Sequence, residues 1–289
     1  MKKILVMLLC LTALLLSGCD KFAKEKEEVA RAEKTAMAME LPPLVRPDFS
    51  KQARPDRKTV KNSWKKYQED LDKFIEAEEK ILAEMRKTDA RIAEMEARAS
   101  NDSEKKDLRE FKDNVQKARK EFVKKISKGR LYGDTFIVGV GSTWQEVEMV
   151  YGKPVNVQKP NTGFREYKYD GIEFEDHIGG GAYPPGSEKL KKWRSKSVES
   201  VFLTGTGITS DAGVKIGMTH DEVFKILKSK YVKKSDYQKD EMHAGKGYDH
   251  AAKKTFDVIV SYSMQETSPF NMFVDFTDNK LTRYVVAPN

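Results

Sequence analysis

The sequence predicts an α+β protein in which a long antiparallel helical hairpin of coiled-coil type precedes two small tandem repeats, each a helix with an antiparallel sheet. Three observations carry this. An apolar heptad starts at Trp64 and continues to Ala99. Beyond Leu131 the composition shifts to aromatic and β-branched residues punctuated by glycine, as short strands require. Within that region Gly141-Ser142-Thr143-Trp144-Gln145-Glu146-Val147 is echoed 76 residues later by Gly217-Met218-Thr219-His220-Asp221-Glu222-Val223. The 289 residues suffice for about two structured units, and a mean hydropathy of −0.66 excludes several membrane spans.

Residues 1–18 read as an export signal. Lys2-Lys3 precedes the apolar run Ile4 to Leu16, which is too short to span a bilayer stably. The run ends in Leu16-Ser17-Gly18-Cys19, which resembles the lipobox of bacterial lipoproteins. The resemblance implies diacylglycerol on the Cys19 thiol, cleavage before it, and acylation of the new amino group. Three acyl chains exceed what stable anchoring needs. The expected location is therefore the cell membrane or outer membrane, facing the periplasm or exterior. Asp20 resembles the signal that keeps enteric lipoproteins in the inner membrane. The two cysteines are Cys10, lost with the signal, and Cys19, so disulfides, zinc fingers and thiol nucleophiles are excluded from the exported part.

Residues 19–62 form the lipidated N-terminus and a basic linker. Residues 20–40 suit a frayed helix, and Pro42, Pro43, Pro47 and Pro55 favour extended backbone. The hairpin covers 63–130. Its first seam is Trp64, Tyr67, Leu71, Phe74, Glu78, Ile81, Met85, Thr88, Ile92, Met95 and Ala99, in which Glu78 and Thr88 are the polar exceptions. Asn101 and Glu104 have capping-box spacing at the turn, and Leu108, Phe111, Val115, Ala118, Phe122 and Ile126 form the returning face.

Strands are expected at Phe136–Val140, Arg165–Phe174, Ser197–Leu203, Phe256–Met264, Met272–Phe276 and Leu281–Val286. Asp278-Asn279-Lys280 turns between the last two. Residues 179–194 form a long insertion, and Lys239 to Lys254 reads as a polar loop. In the repeated motif, Gly141 and Gly217 release the backbone from a strand. Thr143 and Thr219 cap the following helices, with Glu146 and Glu222 completing capping boxes, and Val147 and Val223 begin the buried faces. The motif is thus a structural corner.

At these residues the chain resembles the BamE-like (SmpA/OmlA) domain. Ile216-Gly217-Met218-Thr219 with Val223 and Leu227 matches the first half of that family's pattern. Tyr151-Gly152-Lys153-Pro154 in the first copy is similar to its L-G-x-P end. Two modules in series, over 131–210 and 211–289, also look like the tandem arrangement of β-lactamase inhibitor protein. The resemblance implies small helix-plus-sheet binding modules.

No G-x-S-x-G elbow, H-E-x-x-H pair or Walker A run occurs. His243 and His250 lie near Asp240 and Asp249 but in the polar segment, and Glu173 and Glu175 alternate with Ile172 and Phe174 like the wet face of a half-buried strand. No enzyme activity, metal or cofactor beyond the covalent lipid on Cys19 is expected. The expected role is a non-catalytic protein-binding or scaffold module in the cell envelope. The alternatives are a spacer without a specific ligand, or an envelope hydrolase. Tyr167, Tyr169, Tyr183 and Trp193 are candidate interface anchors. Export removes nucleic acid as a partner of the formal +8 charge. Residues 131–289 carry 21 bases and 21 acids, so the excess lies in the linker and hairpin. Arg54, Arg57, Lys58 and Lys61, with Lys124 and Lys125, are expected to converge at the hairpin's base as a membrane-facing patch beside the tether.

Overall fold

A computed structural model describes residues 21–47, 56–158, 164–177, 196–231, 241–249, 254–262 and 270–288. Cys19, Asp20, Arg54 and the 179–194 insertion with Tyr183 and Trp193 lie outside the described residues. The chain is mixed helix and sheet and divides into two units. A helical unit takes residues 21–47, 56–129 and 145–152, and a sheet unit takes the remainder. No helix among the described residues is long and apolar enough to cross a membrane.

The helical unit is built on α1 (Ala23–Met37), α2 (Arg57–Arg98) and α3 (Asp102–Ile126). α2 starts ahead of the apolar heptad because Asp56 caps it. The Asp56 carboxylate accepts from Lys58 N at 3.0 Å and Thr59 N at 2.9 Å, and the Thr59 bonds hold it below the usual carboxylate range. The helix runs 42 residues, roughly 63 Å at 1.5 Å per residue. At the turn Asn101 Oδ1 accepts from Glu104 N at 2.8 Å, while Glu104 Oε2 accepts from Ser100 N at 2.8 Å, so the expected cap forms. α3 then folds back antiparallel: Lys112 meets Glu96 at 3.1 Å and Arg119 meets Asp89 at 2.9 Å.

Residues 20–40, expected to fray, instead supply a third helix. Phe22, Val29 and Ala30 join Ile92, Met95, Leu108, Phe111 and Val115 in one buried cluster. Phe22 and Val29 are 2% and 0% exposed, and burial of such side chains contributes about 1.5–3 kcal/mol each, enough to hold a helix that would fray alone. Of the two polar exceptions in the seam, Thr88 has partners of its own kind. Thr88 hydrogen-bonds Glu33 of α1, and Arg119 donates to the same carboxylate through Nε at 3.1 Å and Nη2 at 2.5 Å, to Thr88 Oγ1 at 2.9 Å and to the Met85 carbonyl at 3.0 Å. Glu33, Thr88 and Arg119 are all buried. Burial, the largest single effect, works against the Arg119 charge, and the bonds and charges of Glu33 and Asp89 together outweigh it, raising the guanidinium above its ordinary value.

α4 (Trp144–Tyr151) contributes its residues from Gln145 onward to the helical unit. Arg86 of α2 holds Glu148 bidentately, Nε and Nη2 each at 2.7 Å, and reaches Glu79 at 2.6 Å through Nη1. Planar fork geometry of this kind is the strong form of an ion pair.

The sheet unit contains a six-stranded antiparallel sheet in the order β3-β4-β5-β6-β10-β9, with two-stranded sheets β1-β2 and β7-β8. The strands are β1 (Tyr132–Phe136), β2 (Val138–Val140), β3 (Asn156–Gln158), β4 (Phe164–Tyr169), β5 (Ile172–His177), β6 (Ser200–Leu203), β7 (Glu241–Asp249), β8 (Lys254–Tyr262), β9 (Phe270–Thr277) and β10 (Lys280–Pro288); helix α5 spans His220–Tyr231. Residues 131–210 and 211–289 share the large sheet, because β6 of the first segment pairs with β10 of the second. Asp278 and Asn279 at φ +50° and +59° make the expected tight turn between β9 and β10.

Four expectations are corrected. Phe136–Val140 is broken by Ile137 at φ +74°. Arg165–Phe174 folds into two strands around Asp170-Gly171, with Gly171 at φ +77°. The short strand β3 was not expected at all. Most of the expected 239–254 loop is β7, paired along its length with β8. Glycine and charge in Glu241–Asp249 conceal β propensity, and the ladder to an apolar partner supplies what the local sequence lacks.

Candidate functional site

The two copies of the corner motif make the same main-chain contacts. Gly141 and Gly217 sit at φ +93° and +90°, which glycine adopts without strain. Gly141 N donates to Val198 O at 2.9 Å and Gly217 N to Leu281 O at 2.8 Å. Val198 N returns a bond to Ser142 O at 2.8 Å, and Leu281 N one to Met218 O at 2.7 Å. Thr143 bridges Ser197, and Thr219 bridges Lys280. The strands that follow also align: Ser200, Val201 and Leu203 face Glu175, Phe174 and Ile172, as Arg283, Tyr284 and Val286 face Asp275, Val274 and Met272.

Thr219 and Glu222 form the expected capping box, with Thr219 N and Oγ1 donating to Glu222 Oε2 at 2.8 and 2.9 Å. The Thr219 backbone bond holds this carboxyl below its ordinary range. In the first copy Thr143 and Glu146 are fully buried, as are Val147 and Val223. These residues hold the two corners.

The large sheet has two unlike faces. Ile172, Phe174, Val201, Leu203, Met272, Val274, Tyr284 and Val286 point to the buried side. Asp134 of β1 joins them there, accepting from Tyr284 OH at 3.0 Å and Ala212 N at 2.9 Å, and burial pushes its carboxyl above the usual range. The opposite face carries Glu166 and Lys168 of β4, Glu173 and Glu175 of β5, Phe202 of β6, Arg283 and Val285 of β10, and Asp275 of β9, by the alternation of each strand.

Glu166 and Glu175 stand directly opposite each other across β4 and β5. Lys168 lies 3.4 Å from Glu166 and 3.6 Å from Glu173, leaving Glu175 with the weaker compensation. Burial, then the Glu166 charge, pushes the Glu175 carboxyl up to about 7, while Arg283 pulls it down. Arg283 covers the Phe202 ring at 4.9 Å and reaches Asp275 at 3.5 Å. The result is a strip of acid, aromatic ring and base across four strands. Sequence alternation alone locates Glu173 and Glu175 on it. The facing Glu166 and the Arg283–Phe202 pair depend on register, which the sequence does not display.

The candidate anchors Tyr167 and Tyr169 lie on the other side of β4. Tyr167 stacks on Trp144 with centroids 4.1 Å apart, and Tyr169 meets Phe174 edge-on at 5.8 Å. Both rings are half-buried within the unit. Of the histidines, His220 packs beside Phe224 and Phe276, and His243 falls on β7. His250 and Asp240 lie outside the described residues. Among the described residues no group of three or more His, Cys, Asp or Glu is arranged to hold a metal ion.

The basic residues do not converge. Arg57, Lys58 and Lys61 occupy the exposed start of α2, and Lys124 and Lys125 the exposed last turn of α3. α3 has 25 residues against 42 in α2, so the pairing of Arg119 with Thr88 and Asp89 brings its end only to about residue 81. The two clusters are therefore about 30 Å apart along the α2 axis. The end from which the N-terminal segment enters is also reversed from expectation. Lys21 Nζ donates to Arg98 O at 2.9 Å and lies 3.4 Å from Glu104, so α1 begins at the hairpin turn, opposite the basic start of α2.

No protein family and no curated protein matches this sequence. A solved extracellular protein containing an SCP domain, from Bacillus anthracis str. Ames, is similar over 54% of this chain and 46% of its own, with 10% identity and a TM-score of 0.31. At that level the likeness bears on neither fold nor role.

Proposed function

We propose that the protein is a lipid-anchored lipoprotein of the cell envelope that works as a non-catalytic protein-binding or scaffold module, built from two BamE-like repeats after a helical unit. The repeated contacts of Gly141 and Gly217, and the matching ladders behind them, support the tandem reading. The observation that carries the binding role is the Glu166–Glu175 pair. Like charges directly opposed across a ladder destabilise a sheet, and a perturbed carboxyl in such a place favours a binding function. A cationic side chain of a partner would relieve the repulsion, with Phe202 and Arg283 offering an adjacent aromatic and charged contact. A spacer role without a specific ligand is favoured only by the length of α2.

Site-specific photocrosslinking tests the reading. A photoreactive phenylalanine analogue at Phe202 should capture one defined envelope protein from intact membranes, and the same group at exposed Thr282 should not. Glu175→Lys should remove the adduct. Absence of any specific adduct at Phe202 would sink the binding role. The anchor is tested apart from it by Cys19→Ser, which should release the chain from the membrane fraction.

A further inference from the structure

The helical unit has two ends of different character, and the contacts of α1 decide which one faces the bilayer. Lys21 and Phe22 are seated at the turn between α2 and α3: Lys21 on Arg98 O and Glu104, Phe22 in the cluster with Met95, Leu108 and Phe111. Arg98 closes the same end by meeting Glu25 at 2.7 Å and covering the Phe22 ring at 5.3 Å. Cys19 precedes Lys21 by two residues, and two residues reach at most about 7 Å however they are arranged.

We propose that the hairpin turn is the surface that faces the lipid headgroups of the anchoring membrane, and that the helical unit extends from it as a strut. This rests on the anchor reading above. The alternative, a hairpin standing on its basic base, requires the tether to cross the length of the bundle, and the docked α1 leaves no slack for that. Lys125 lies about 36 Å from Asn101 along α3, and Lys61 about 56 Å from Arg98 along α2. Both distances are several times the screening length of about 8 Å at physiological salt, so an upright unit holds these two basic clusters beyond the field of its own bilayer. A unit lying flat would bring Asp72 and Glu76, exposed on the middle of α2, toward anionic headgroups. Repulsion there opposes the attraction of Arg57, Lys58 and Lys61.

The acylated chain offers a direct measurement, because lipid blocks its only mature thiol. Ser103→Cys, Lys125→Cys and Lys61→Cys each add a single labelling site at an exposed residue. The full lipoprotein, purified from membranes, is labelled with a donor dye and reconstituted into phosphatidylethanolamine–phosphatidylglycerol vesicles carrying an acceptor lipid. Transfer should fall in the order 103, 125, 61, with at least about a two-fold loss between the first and last, given the ~56 Å between them. Equal transfer at the three positions, or the reverse order, would overturn the inference. The chain without an added cysteine is the control. If its thiol reacts with the dye, the anchor reading fails and takes this one with it; unequal outcomes in an unreactive chain judge the strut alone.

Discussion

Arg119→Met tests whether α1 is held by the buried polar network. Arg119 is 1% exposed and supplies Glu33 with two donors, besides bonding Thr88, the Met85 carbonyl and Asp89. Methionine replaces the arginine stem as far as Nε and carries no charge, so the packing of the stem is largely kept while the Glu33 carboxylate loses all but its Thr88 contact. Removing one partner of a buried ion pair costs about 3–5 kcal/mol. The apolar hold on α1 rests chiefly on Phe22 and Val29, about 3–6 kcal/mol before ordering entropy is subtracted. The substitution should therefore unseat α1 without melting α2 and α3. Amide exchange over residues 23–37 should accelerate at least ~100-fold, since each 1.4 kcal/mol is a factor of ten, with exchange in 102–126 changed far less. The double variant Glu33→Met with Arg119→Met should recover much of the protection, because no buried charge is left alone. Protection of 23–37 within about three-fold of the parent in Arg119→Met would refute the reasoning.

Two further outcomes follow from the sheet unit. The Glu175 carboxyl, raised from 4.5 to about 7, binds its proton more tightly in the folded state, so the fold loses stability as pH rises from about 4.5 to 7. That shift corresponds to at most ~3 kcal/mol, and partial exposure reduces it to about 1–2 kcal/mol. Glu175→Gln should flatten this slope in urea midpoints at pH 5 and pH 8; an unaltered slope would contradict the assignment. At Gly205 a Cβ would stand 2.3 Å from Gly171 Cα, and Gly171 O accepts from Gly205 N at 2.9 Å, so neither backbone can retreat without losing the turn. Gly205→Ala should cost about 2–4 kcal/mol by thermal unfolding, while Gly207→Ala, whose Cβ meets nothing within 4 Å, should cost less than about 1 kcal/mol.

Periodicity and capping chemistry are local, so α2, α3, their turn and the Asp278-Asn279 turn are legible in the residues that form them. The cap of the corner motif is legible for the same reason: Thr219 and Glu222 satisfy each other within four positions of sequence, whereas Gly217 N is met by Leu281 O from a distant strand. Glu175 could be placed on the wet face of its strand by alternation, but its neighbour Glu166 depends on a register that no single strand encodes. Residues 20–40 misled because Lys26 and Glu33 look like solvated charges. Their burial is stable only when Asp107 and Arg119, more than 80 residues away, come to meet them.

The sequence by itself determined which segments are helix, where the hairpin turns, and that most strands lie beyond Leu131, since these follow from contacts between near neighbours. Only the tertiary structure decided that α1 docks at the turn and that α3 ends far short of the start of α2. It alone also packed Tyr167 against Trp144 and seated Glu166 opposite Glu175. Each of those depends on pairing between distant segments, where arm length, register and the partners of buried charge are set jointly and cannot be read from one segment alone.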